Sequence, residues 1–476
     1  MPSDHGDTAI TIWWIRRDLR LTDNPALEAA LERGDKVLPV FIWAPDEEKP
    51  WSPGAASRWW LHYSLEKFKT DLETRHSTLI LRKGPTLAAL RAIIKETGAT
   101  RVVWNRLYEP AIIARDKHIK TELRNDGIEA KSFNANLLFE PWTIQTQQEK
   151  PYQVFTPFYR CCLTYGAPSK PLAAPKHLTK LAKVPFSLEL ADLDLLPGID
   201  WADGMRDAWQ PGEAGAMALL DTFRQGVVSA YKTDRDRPDF SGTSKLSPHL
   251  HFGEISPRQA WYACHQAPDS EPYLRQLYWR EFAHHLLYHF PHTTDAPLRE
   301  QFAKFPWKQD RRLLRIWERG KTGYPIVDAG MRELWRTGWM HNRVRMIVAS
   351  FLVKDLLLPW QDGARWFWDT LVDADLANNT LGWQWAAGCG ADAAPYFRIF
   401  NPVLQATKFD PDGAYVKRWL PVLRSLPSPD VHKIFELPPQ ALQRAGLTQG
   451  VSYPHAVVNH ADARDAALEA YARLKS

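Results

Sequence analysis

Two carboxylates, two adjacent asparagines and two indoles crowd into the segment from Asp373 to Trp385, DADLANNTLGWQW. Carboxylates that face inward in so aromatic a segment would cost several kcal/mol unless hydrogen-bond donors reached them. A ligand with ribose hydroxyls and ring N–H groups would supply such donors. The alternative is a helix capped by an aspartate over a core of tryptophans, which needs no ligand. Both interpretations stay open on this segment alone.

A second segment, GTSKLS from Gly242 to Ser247, groups small hydroxyl residues just before Pro248. Hydroxyl and backbone donors at the start of a helix bind phosphate. An ordinary helix cap, with Ser247 ahead of the proline, explains the same residues. A phosphate site here needs support from other parts of the chain.

Arginines lie among aromatic residues in LYWREF (277–282) and GWMHNRVRMIVA (338–349). In the second segment Arg345 could pair with an aspartate of the 373–375 stretch, and Arg343 could face a phosphate. His341 could be a base, a ligand or simply a packed side chain, which is the usual role of a lone histidine. Basic groups interleaved with aromatics are what a DNA groove with a base-accepting pocket requires.

The composition is that of a globular protein. The chain has 476 residues, 45% hydrophobic and 24% charged, which excludes a disordered or fibrous protein. A net charge of +5 permits an anionic partner without requiring one. The 22 tryptophans fit either large aromatic cores or stacking, cofactor packing and electron transfer. None of the four cysteines forms a CxxC pair, so we expect no metal centre and no disulfide framework.

Apolar runs alternate with helical periodicity over residues 1–140. We predict strands at 9–15, 37–43, 78–82, 101–104 and 128–133, and helices beginning at Pro25 and covering 56–74, 86–96 and 111–125. This alternation is typical of a doubly wound parallel α/β domain, which binds ligands beyond the carboxyl ends of its strands. No GxGxxG follows the first strand, so the ordinary dinucleotide fingerprint is absent.

The rest of the chain has a different character. Prolines recur through 141–210 with little periodicity, which predicts a long ordered connector. From 211 to 476 the pattern is helical, with helices predicted at 214–224, 273–289, 328–336, 343–358 and 364–371. We therefore expect an α/β domain over 1–140, a connector over 141–210 and an all-helical domain over 211–476.

No segment suggests a membrane or an export pathway. The polar start, MPSDHGD, lacks a basic stretch before an apolar one, and no apolar run reaches about 18 residues. We expect a cytoplasmic protein without a membrane partner.

Six motifs resemble those of the DNA photolyase/cryptochrome flavoproteins. They are WWIRRDLRLTDNPAL from Trp13, GTSKLSPHL from Gly242, WREF from Trp279, GKTGYPIVDAGMREL from Gly320, GWMHNRVRMIVASF from Gly338, and DADLANNTLGWQWAAGCGADAAPYFRIFNP from Asp373. The resemblance extends over nearly the whole chain. It implies an N-terminal α/β domain, a C-terminal helical domain that binds a folded FAD, and UV-damaged DNA as the partner of a monomer without an obligate protein partner.

The resemblance implies roles for particular residues around the FAD. Arg345, Asp373 and Asp375 would hold the isoalloxazine and ribose, and Asn379 would face flavin N5. A tryptophan relay would run from Trp383 beside the flavin through Trp360 to Trp307 near the surface. The phosphate side would be lined by Tyr231, Thr243, Ser244, Lys245, Leu246 and Ser247.

The substrate pocket resembles that of the enzymes that repair cyclobutane pyrimidine dimers. Their pattern of Trp, Asn, Met and Trp is matched by Trp279, Asn342, Met346 and Trp385, whereas (6-4) enzymes carry a histidine pair where this chain has His341 and then Asn342. Excited, fully reduced FAD would donate an electron to the flipped-out dimer, and the ring would split. Candidates for the DNA phosphate contacts are Arg235, Arg280, Arg343 and Arg398.

Two departures from the family pattern stand out. Gln276 occupies the position of the glutamate that usually hydrogen-bonds the damaged base, and an amide supplies neither a proton nor a charge. In the segment 104–116, where some relatives hold a folate, the expected glutamate is Ile112. The second, light-gathering chromophore is therefore open between methenyltetrahydrofolate, which we favour, a deazaflavin, and none.

The alternative function is a cryptochrome-like blue-light photoreceptor, with repair of (6-4) photoproducts as an alternative within the enzyme class. Plant-type receptors often have Asp where this chain has Asn379, and no long tail follows the amphipathic stretch 461–474, so both features favour repair.

Overall fold

The computed structural model describes residues 9–33, 36–179, 181, 183–396, 398–428 and 430–474. The N-terminal segment used above to argue against export lies outside the described residues. Five parallel strands form one sheet in the order β3-β2-β1-β4-β5. The strands are β1 Ile10–Ile15, β2 Lys36–Trp43, β3 Ile80–Lys83, β4 Arg101–Asn105 and β5 Glu129–Phe133. All five lie within two residues of the predicted positions.

The helices between the strands begin and end where local chemistry predicts. They are α1 Pro25–Leu31, α2 Ala55–Glu73, α3 Thr86–Thr97 and α4 Pro110–Asn125. Asn24 caps α1, its side chain accepting the Leu27 N–H at 3.2 Å, and Gly98 ends α3 in the left-handed conformation at φ 70°. The predicted doubly wound α/β domain is confirmed.

The strand order reverses between β1 and β4, and the helical part of the chain packs into the crevice at that point. Arg20, buried in the turn after β1, donates to the carbonyl oxygens of Ala135 and Gly253, each at 2.8 Å. Nη2 of Arg258 donates to Oδ1 of Asp23 at 2.7 Å. The α/β and helical parts are thus joined by buried polar contacts.

Two helices lie in the region predicted as a long ordered connector, α5 at Phe155–Thr164 and, near its end, α6 at Asp203–Ala208. Helix α5 buries Phe155, Phe158 and Cys162. Its apolar positions span only three turns between proline-rich stretches, which is why the periodicity escapes a sequence-based prediction.

The remainder is helical. The helices are α6 Asp203–Ala208, α7 Glu213–Thr222, α8 Val228–Asp234, α9 Ser247–His251, α10 Pro257–Cys264, α11 Glu271–His289, α12 Arg311–Glu318, α13 Pro325–Thr337, α14 Asn342–Ser350, α15 Trp360–Thr370, α16 Leu376–Ala387, α17 Pro402–Phe409, α18 Ala414–Trp419, α19 Pro439–Arg444 and α20 His460–Ala472. No helix in the described ranges is long and apolar enough to cross a bilayer.

The helix predicted over 343–358 is shorter than expected. Helix α14 ends at Ser350, and Phe351–Asp355 form a wider π turn. Two charged residues in this turn are buried: Lys354 donates to the Arg398 carbonyl at 2.9 Å, and Asp355 pairs with Nδ1 of His460 at 2.5 Å. The wider turn accompanies these two contacts, which regular helical periodicity does not anticipate.

Helices α15 and α16 pack unusually closely around one indole. A Cβ placed on Gly363 of α15 would lie 2.1 Å from the ring of Trp383 on α16, so only glycine fits there. This contact fixes the position of Trp383 between the hydrophobic core and the cavity described next.

Candidate functional site

A cavity of about 800 Å³ opens in the helical part of the chain, within the size range of small-molecule and cofactor sites. Residues from helices α8, α11, α14 and α16 and from the GTSKLS segment line it. Its walls hold these residues singled out from the sequence: Tyr231, Arg235, Thr243, Ser244, Lys245, Leu246, Ser247, Gln276, Trp279, Arg280, Asn342, Arg345, Met346, Asp373, Asp375, Asn379, Trp383 and Trp385. Segments far apart in sequence therefore meet at one place.

The predicted pair between Arg345 and the 373–375 stretch is confirmed, and its partner is Asp373. Nη2 of Arg345 lies 2.8 Å from Oδ2 and 3.0 Å from Oδ1 of Asp373. Nε of Arg345 donates to the Met340 carbonyl at 2.7 Å. Since the Asp373 carboxylate is buried, this pairing supplies the charge compensation that its burial requires.

Asp375 combines the two roles that the sequence left open. One carboxylate oxygen caps α16 by accepting the Asn378 N–H at 2.8 Å, and the other lies 3.4 Å from Nε2 of His284 and 3.9 Å from Nδ1 of His251. Burial would raise the pKa of Asp375, but the two imidazoles outweigh it and hold that pKa well below its usual range. The cavity wall therefore carries a fixed negative charge.

The GTSKLS segment turns sharply at Lys245, which has the left-handed φ of 52°. Nζ of Lys245 lies 5.7 Å from the ring centroid of Trp339, and the Trp339 indole donates to the hydroxyl of Ser247 at 3.3 Å. The segment is held against an aromatic side chain while its residues line the cavity. This arrangement is compatible with an anionic group at Lys245.

Another part of the cavity wall consists of aromatic and amide side chains. Trp279 stacks on Phe155 with centroids 3.7 Å apart, and Trp385 packs 6.5 Å from Phe400. Gln276 is held at both ends, because Oε1 accepts from Nη2 of Arg235 and Nε2 donates to the Pro272 carbonyl, each at 3.2 Å. Both indoles line the cavity and offer it aromatic surface for a planar ligand.

The four arginines proposed for DNA contacts are not equivalent. Arg235 and Arg280 line the cavity, and Nη1 of Arg280 donates to the Asn136 carbonyl at 2.6 Å. Arg343 does not line the cavity. It pairs with Asp236 at 2.8 Å, and its guanidinium lies over the Phe409 ring. Arg398 is exposed and does not line the cavity either. Two cations that we did not single out, Lys232 and Arg275, do line the cavity.

Of the three tryptophans assigned to the relay, Trp383 and Trp360 are buried and Trp307 is half-buried. Trp383 lines the cavity, Trp360 is buried in the same core, and Trp307 is half-buried at its edge against Phe305. The Trp383 ring contacts Phe367 at 5.0 Å and Trp317 at 6.1 Å. Beside it, the amide of Asn379 donates to the Ala364 carbonyl at 3.0 Å, which fixes the orientation of that side chain.

His341 is a packed residue in this structure. It is buried and does not line the cavity, and its Nδ1 caps α14 by accepting the Arg343 N–H at 3.2 Å. The backbone N–H of His341 donates to Oε2 of Glu333 at 3.2 Å, and the same oxygen accepts from the Tyr415 hydroxyl at 2.7 Å. Burial raises the pKa of Glu333 to about 7 and lowers the pKa of His341 to about 4.

In the segment 104–116, considered for a second chromophore, several side chains are already buried or paired within the protein. Ile112 is buried in the protein, Glu109 pairs with Arg17, and Asp116 pairs with Arg16 at 2.6 Å. Among the described residues, no three His, Cys, Asp or Glu side chains form a group able to hold a metal ion.

Several site residues were not singled out from the sequence. His251 comes one position after the GTSKLSPHL motif, and Arg275 precedes Gln276 on the cavity face of α11, so both were within reach of a motif-based argument. His284 and Phe155 were not, because only the folded chain brings them to Asp375 and Trp279.

Two family models match the chain. One, described as the FAD binding domain of DNA photolyase, matches residues 273–473, and the other, described as DNA photolyase, matches residues 11–176. The chain is 49% identical to a deoxyribodipyrimidine photo-lyase of Agrobacterium fabrum over 98% of each chain. It is 39% identical to Cryptochrome-1 of Arabidopsis thaliana, over 98% of this chain and 71% of that protein.

A solved structure gives the same picture. The crystal structure of a bacterial class III photolyase from Agrobacterium tumefaciens superimposes with a TM-score of 0.96 at 48% identity, covering 99% of each chain. A cryptochrome of Synechocystis superimposes with a TM-score of 0.89 at 28% identity, over 98% of this chain and 100% of that one.

Proposed function

The chain belongs to the DNA photolyase/cryptochrome family, and from that premise we propose that it is a light-dependent DNA-repair flavoprotein that splits cyclobutane pyrimidine dimers. The observation that carries this proposal is a single cavity with two different walls. One wall holds the buried Arg345–Asp373 pair and the ionised Asp375, and the other presents the indoles of Trp279 and Trp385.

The residues on the polar wall fit FAD. Oδ2 of Asp375 lies 3.4 Å from Nε2 of His284 and 3.9 Å from Nδ1 of His251, so it can still accept from a ligand. Nδ1 of His251 is buried without a hydrogen-bond partner among the described residues. We assign Arg345, Asp373 and Asp375 to the flavin and ribose, Asn379 to flavin N5, and Tyr231 with the segment 243–247 to the phosphates. When bound, FAD supplies the light absorption and the electron that opens the dimer ring.

The protein side chains do the rest. Trp279 and Trp385 contact the flipped bases, Asn342 and Gln276 hydrogen-bond them, and Met346 fills the apolar space between. Flipping costs a few kcal/mol, less at a damaged step that already stacks poorly, which contributes to selectivity. Arg235 and Arg280 contact the DNA phosphates from the cavity rim, with Arg343 and Arg398 farther out.

The relay of Trp383, Trp360 and Trp307 restores the reduced flavin in light. Indoles are oxidisable, and this role is supported by the burial of Trp383 and Trp360 in the same hydrophobic core, against which the half-buried Trp307 packs. Gly363 supports this role, since it allows α15 to approach the Trp383 ring closely.

Further features of the proposal concern the whole molecule. A second chromophore, methenyltetrahydrofolate in preference to a deazaflavin, binds in a manner that does not use Ile112, because that side chain is buried. The divisions at 140 and 210 are domain limits, and the protein works as a cytoplasmic monomer without an obligate protein partner. Mass spectrometry of the chromophores released on denaturation and light scattering of the purified protein test these points.

The deciding experiment uses purified protein after chemical reduction of FAD. Oligonucleotides with one cyclobutane thymine dimer, or with one (6-4) photoproduct at the same position, are illuminated with blue light and assayed for restored thymines. We expect loss of the cyclobutane dimer in light and none in the dark. Repair of the (6-4) lesion alone would overturn the substrate assignment, and repair of neither would overturn the enzymatic function.

A photoreceptor role is the second candidate, because the identity to the Arabidopsis cryptochrome, 39%, is similar to the 37% shared with the Escherichia coli photo-lyase. Asn379 argues for repair. The same experiment separates the two, since a pure receptor leaves both lesions intact in light.

A further inference from the structure

The ring of Phe155 lies flat against the ring of Trp279. Their centroids are 3.7 Å apart and the planes are inclined by 8°, so the two rings overlap almost completely. Aromatic pairs left to themselves prefer offset or edge-on arrangements. A face-to-face contact this close therefore indicates that the surrounding packing holds both rings in place.

Phe155 is fixed from three sides. It is 1% exposed and begins α5, where its N–H donates to Oδ2 of Asp392 at 3.3 Å. Its ring also meets the edge of Phe282 at 5.8 Å, and the guanidinium of Arg275 lies 5.2 Å from its centroid. Asp392 follows α16, the helix that carries Trp385, so Phe155 connects the two sides of the aromatic wall.

Trp279 is only half-buried and lines the cavity, although one of its faces is covered by Phe155. Only the other face and the edges remain for a ligand. An indole free to change rotamer would lose conformational freedom when a base stacked on it, whereas an indole already backed by a fixed ring loses little.

We propose that Phe155 is a positioning residue of the damaged-base pocket, which holds the indole of Trp279 ready to stack on the flipped dimer. This inference rests on the proposed repair function. It assigns a role in damage recognition to helix α5, which lies outside the FAD-binding segment 273–473 and carries no cavity-lining residue.

The test compares three variants of the FAD-loaded protein. Phe155→Leu keeps an apolar side chain but removes the flat face, and Phe155→Tyr keeps that face. Phe158→Leu is the matched control. Phe158 is equally buried on the same helix and also contacts Phe282, but its other ring contact is with His285, whereas Phe155 stacks on Trp279. Affinities are measured in the dark by fluorescence anisotropy for an oligonucleotide with one cyclobutane dimer and for its undamaged counterpart.

We expect Phe155→Leu to weaken dimer binding about 3- to 10-fold, the range measured for aromatic pairs, with unchanged affinity for undamaged DNA and unchanged flavin content. Phe155→Tyr and Phe158→Leu should stay within about twofold of wild type. Equal losses in Phe155→Leu and Phe158→Leu, or no loss in either, would overturn the inference while leaving the repair function standing.

A double-mutant comparison shows whether Phe155 acts through Trp279. In a Trp279→Ala background, Phe155→Leu should cause no further loss of dimer affinity. An undiminished effect in that background would show that Phe155 acts by another route and would overturn the inference. If wild type itself binds both oligonucleotides equally, the repair function fails, and this inference fails with it.

Discussion

Nη2 of Arg345 faces both carboxylate oxygens of Asp373, at 2.8 and 3.0 Å, at the wall of the cavity. The pair joins α14 to the turn that precedes α16, and Arg345 is still partly exposed. A buried carboxylate needs such a partner, and removing one member leaves the other charge uncompensated. The pair therefore affects both the fold and the ligand that the cavity binds.

The first prediction concerns this pair. Asp373→Ala should lose most of the bound flavin, because it removes an acceptor from the cavity wall and leaves Arg345 unpaired. The measurement is the ratio of visible flavin absorbance to protein in the purified variant. Asp221→Ala is the control, since the Asp221 side chain is half-exposed and pairs with Arg224 at 2.8 Å, away from the residues that line the cavity. Full flavin retention in Asp373→Ala would contradict the assignment.

The second prediction concerns photoreduction. Trp383→Phe should slow light-driven reduction of the flavin at least tenfold, because a benzene ring keeps the packing but is far harder to oxidise than an indole. Trp317→Phe is the control: Trp317 contacts the Trp383 ring at 6.1 Å but is fully buried and is not part of the proposed relay. Reduction is followed by flavin absorbance under constant light. An equal rate in Trp383→Phe and wild type would point to another electron route.

Sequence patterns predicted the α/β domain well, because strands buried on both faces read as continuous apolar runs separated by capped helices. The site was also predictable in its members, since the motifs around Thr243, Arg345 and Asp373 do meet at one cavity. Side-chain partners were less accessible. The motif places Arg343 near the pocket, but its ion pair with Asp236 depends on how the turn after α8 approaches α14.

Contacts between distant segments were the part that sequence patterns could not supply. Phe155 lies 124 positions before Trp279, in a proline-rich stretch, and only its burial against α11 reveals the stack. The π turn after Ser350 has the same origin, because Lys354 and Asp355 find buried partners that no local pattern announces.

The third prediction concerns DNA electrostatics. The logarithm of DNA affinity should fall linearly with the logarithm of salt concentration, and Arg343→Ala should reduce the slope by about 0.9, the value for one phosphate. It should weaken damaged and undamaged DNA alike. Asp236→Asn releases Arg343 from its partner and should strengthen both. Arg224→Ala is the control, because Arg224 is exposed just after the end of α7, where it pairs with Asp221. A salt-independent affinity would contradict electrostatic binding.

The fourth prediction concerns pH and stability. Burial raises the pKa of Glu333 to about 7 in the folded chain, against an ordinary value of 4.5. Its stabilising effect is therefore complete below pH 4.5 and is lost as pH rises through 7, because the charged form is penalised only when folded. Glu333→Gln removes that penalty and can still accept from Tyr415.

We expect the free energy of unfolding of Glu333→Gln to rise relative to wild type by about 2 kcal/mol between pH 5 and pH 8. Urea unfolding at several pH values measures the difference. Glu318→Gln, at a half-buried position on α12, provides a comparison with a smaller expected change. A gap that does not vary with pH would show that Glu333 does not ionise in this range.

The last prediction concerns Gln276, whose Oε1 accepts from Nη2 of Arg235 at 3.2 Å. A glutamate in its place would form an ion pair with Arg235, and this partner offsets part of the cost of burying the new charge. Its other oxygen would accept a thymine N–H in a charge-assisted bond, roughly twice as strong as the neutral bond that an amide offers. Gln276→Glu should therefore improve dimer affinity or repair rate, by about 1 kcal/mol for one stronger bond.

Single-turnover repair after chemical reduction of FAD measures this effect, because it removes any difference in photoreduction. Gln276→Met, which keeps the length of the side chain but lacks both polar atoms, should fall below wild type by a comparable factor. Arg235→Ala separates the two contributions: without that arginine, the charge of Gln276→Glu would be uncompensated and the gain should disappear. A gain that persists without Arg235 would show that the thymine bond alone is sufficient. No gain in either background would mean that desolvation of the carboxylate cancels the stronger hydrogen bond. The Gln276 amide would then support repair as well as a glutamate does.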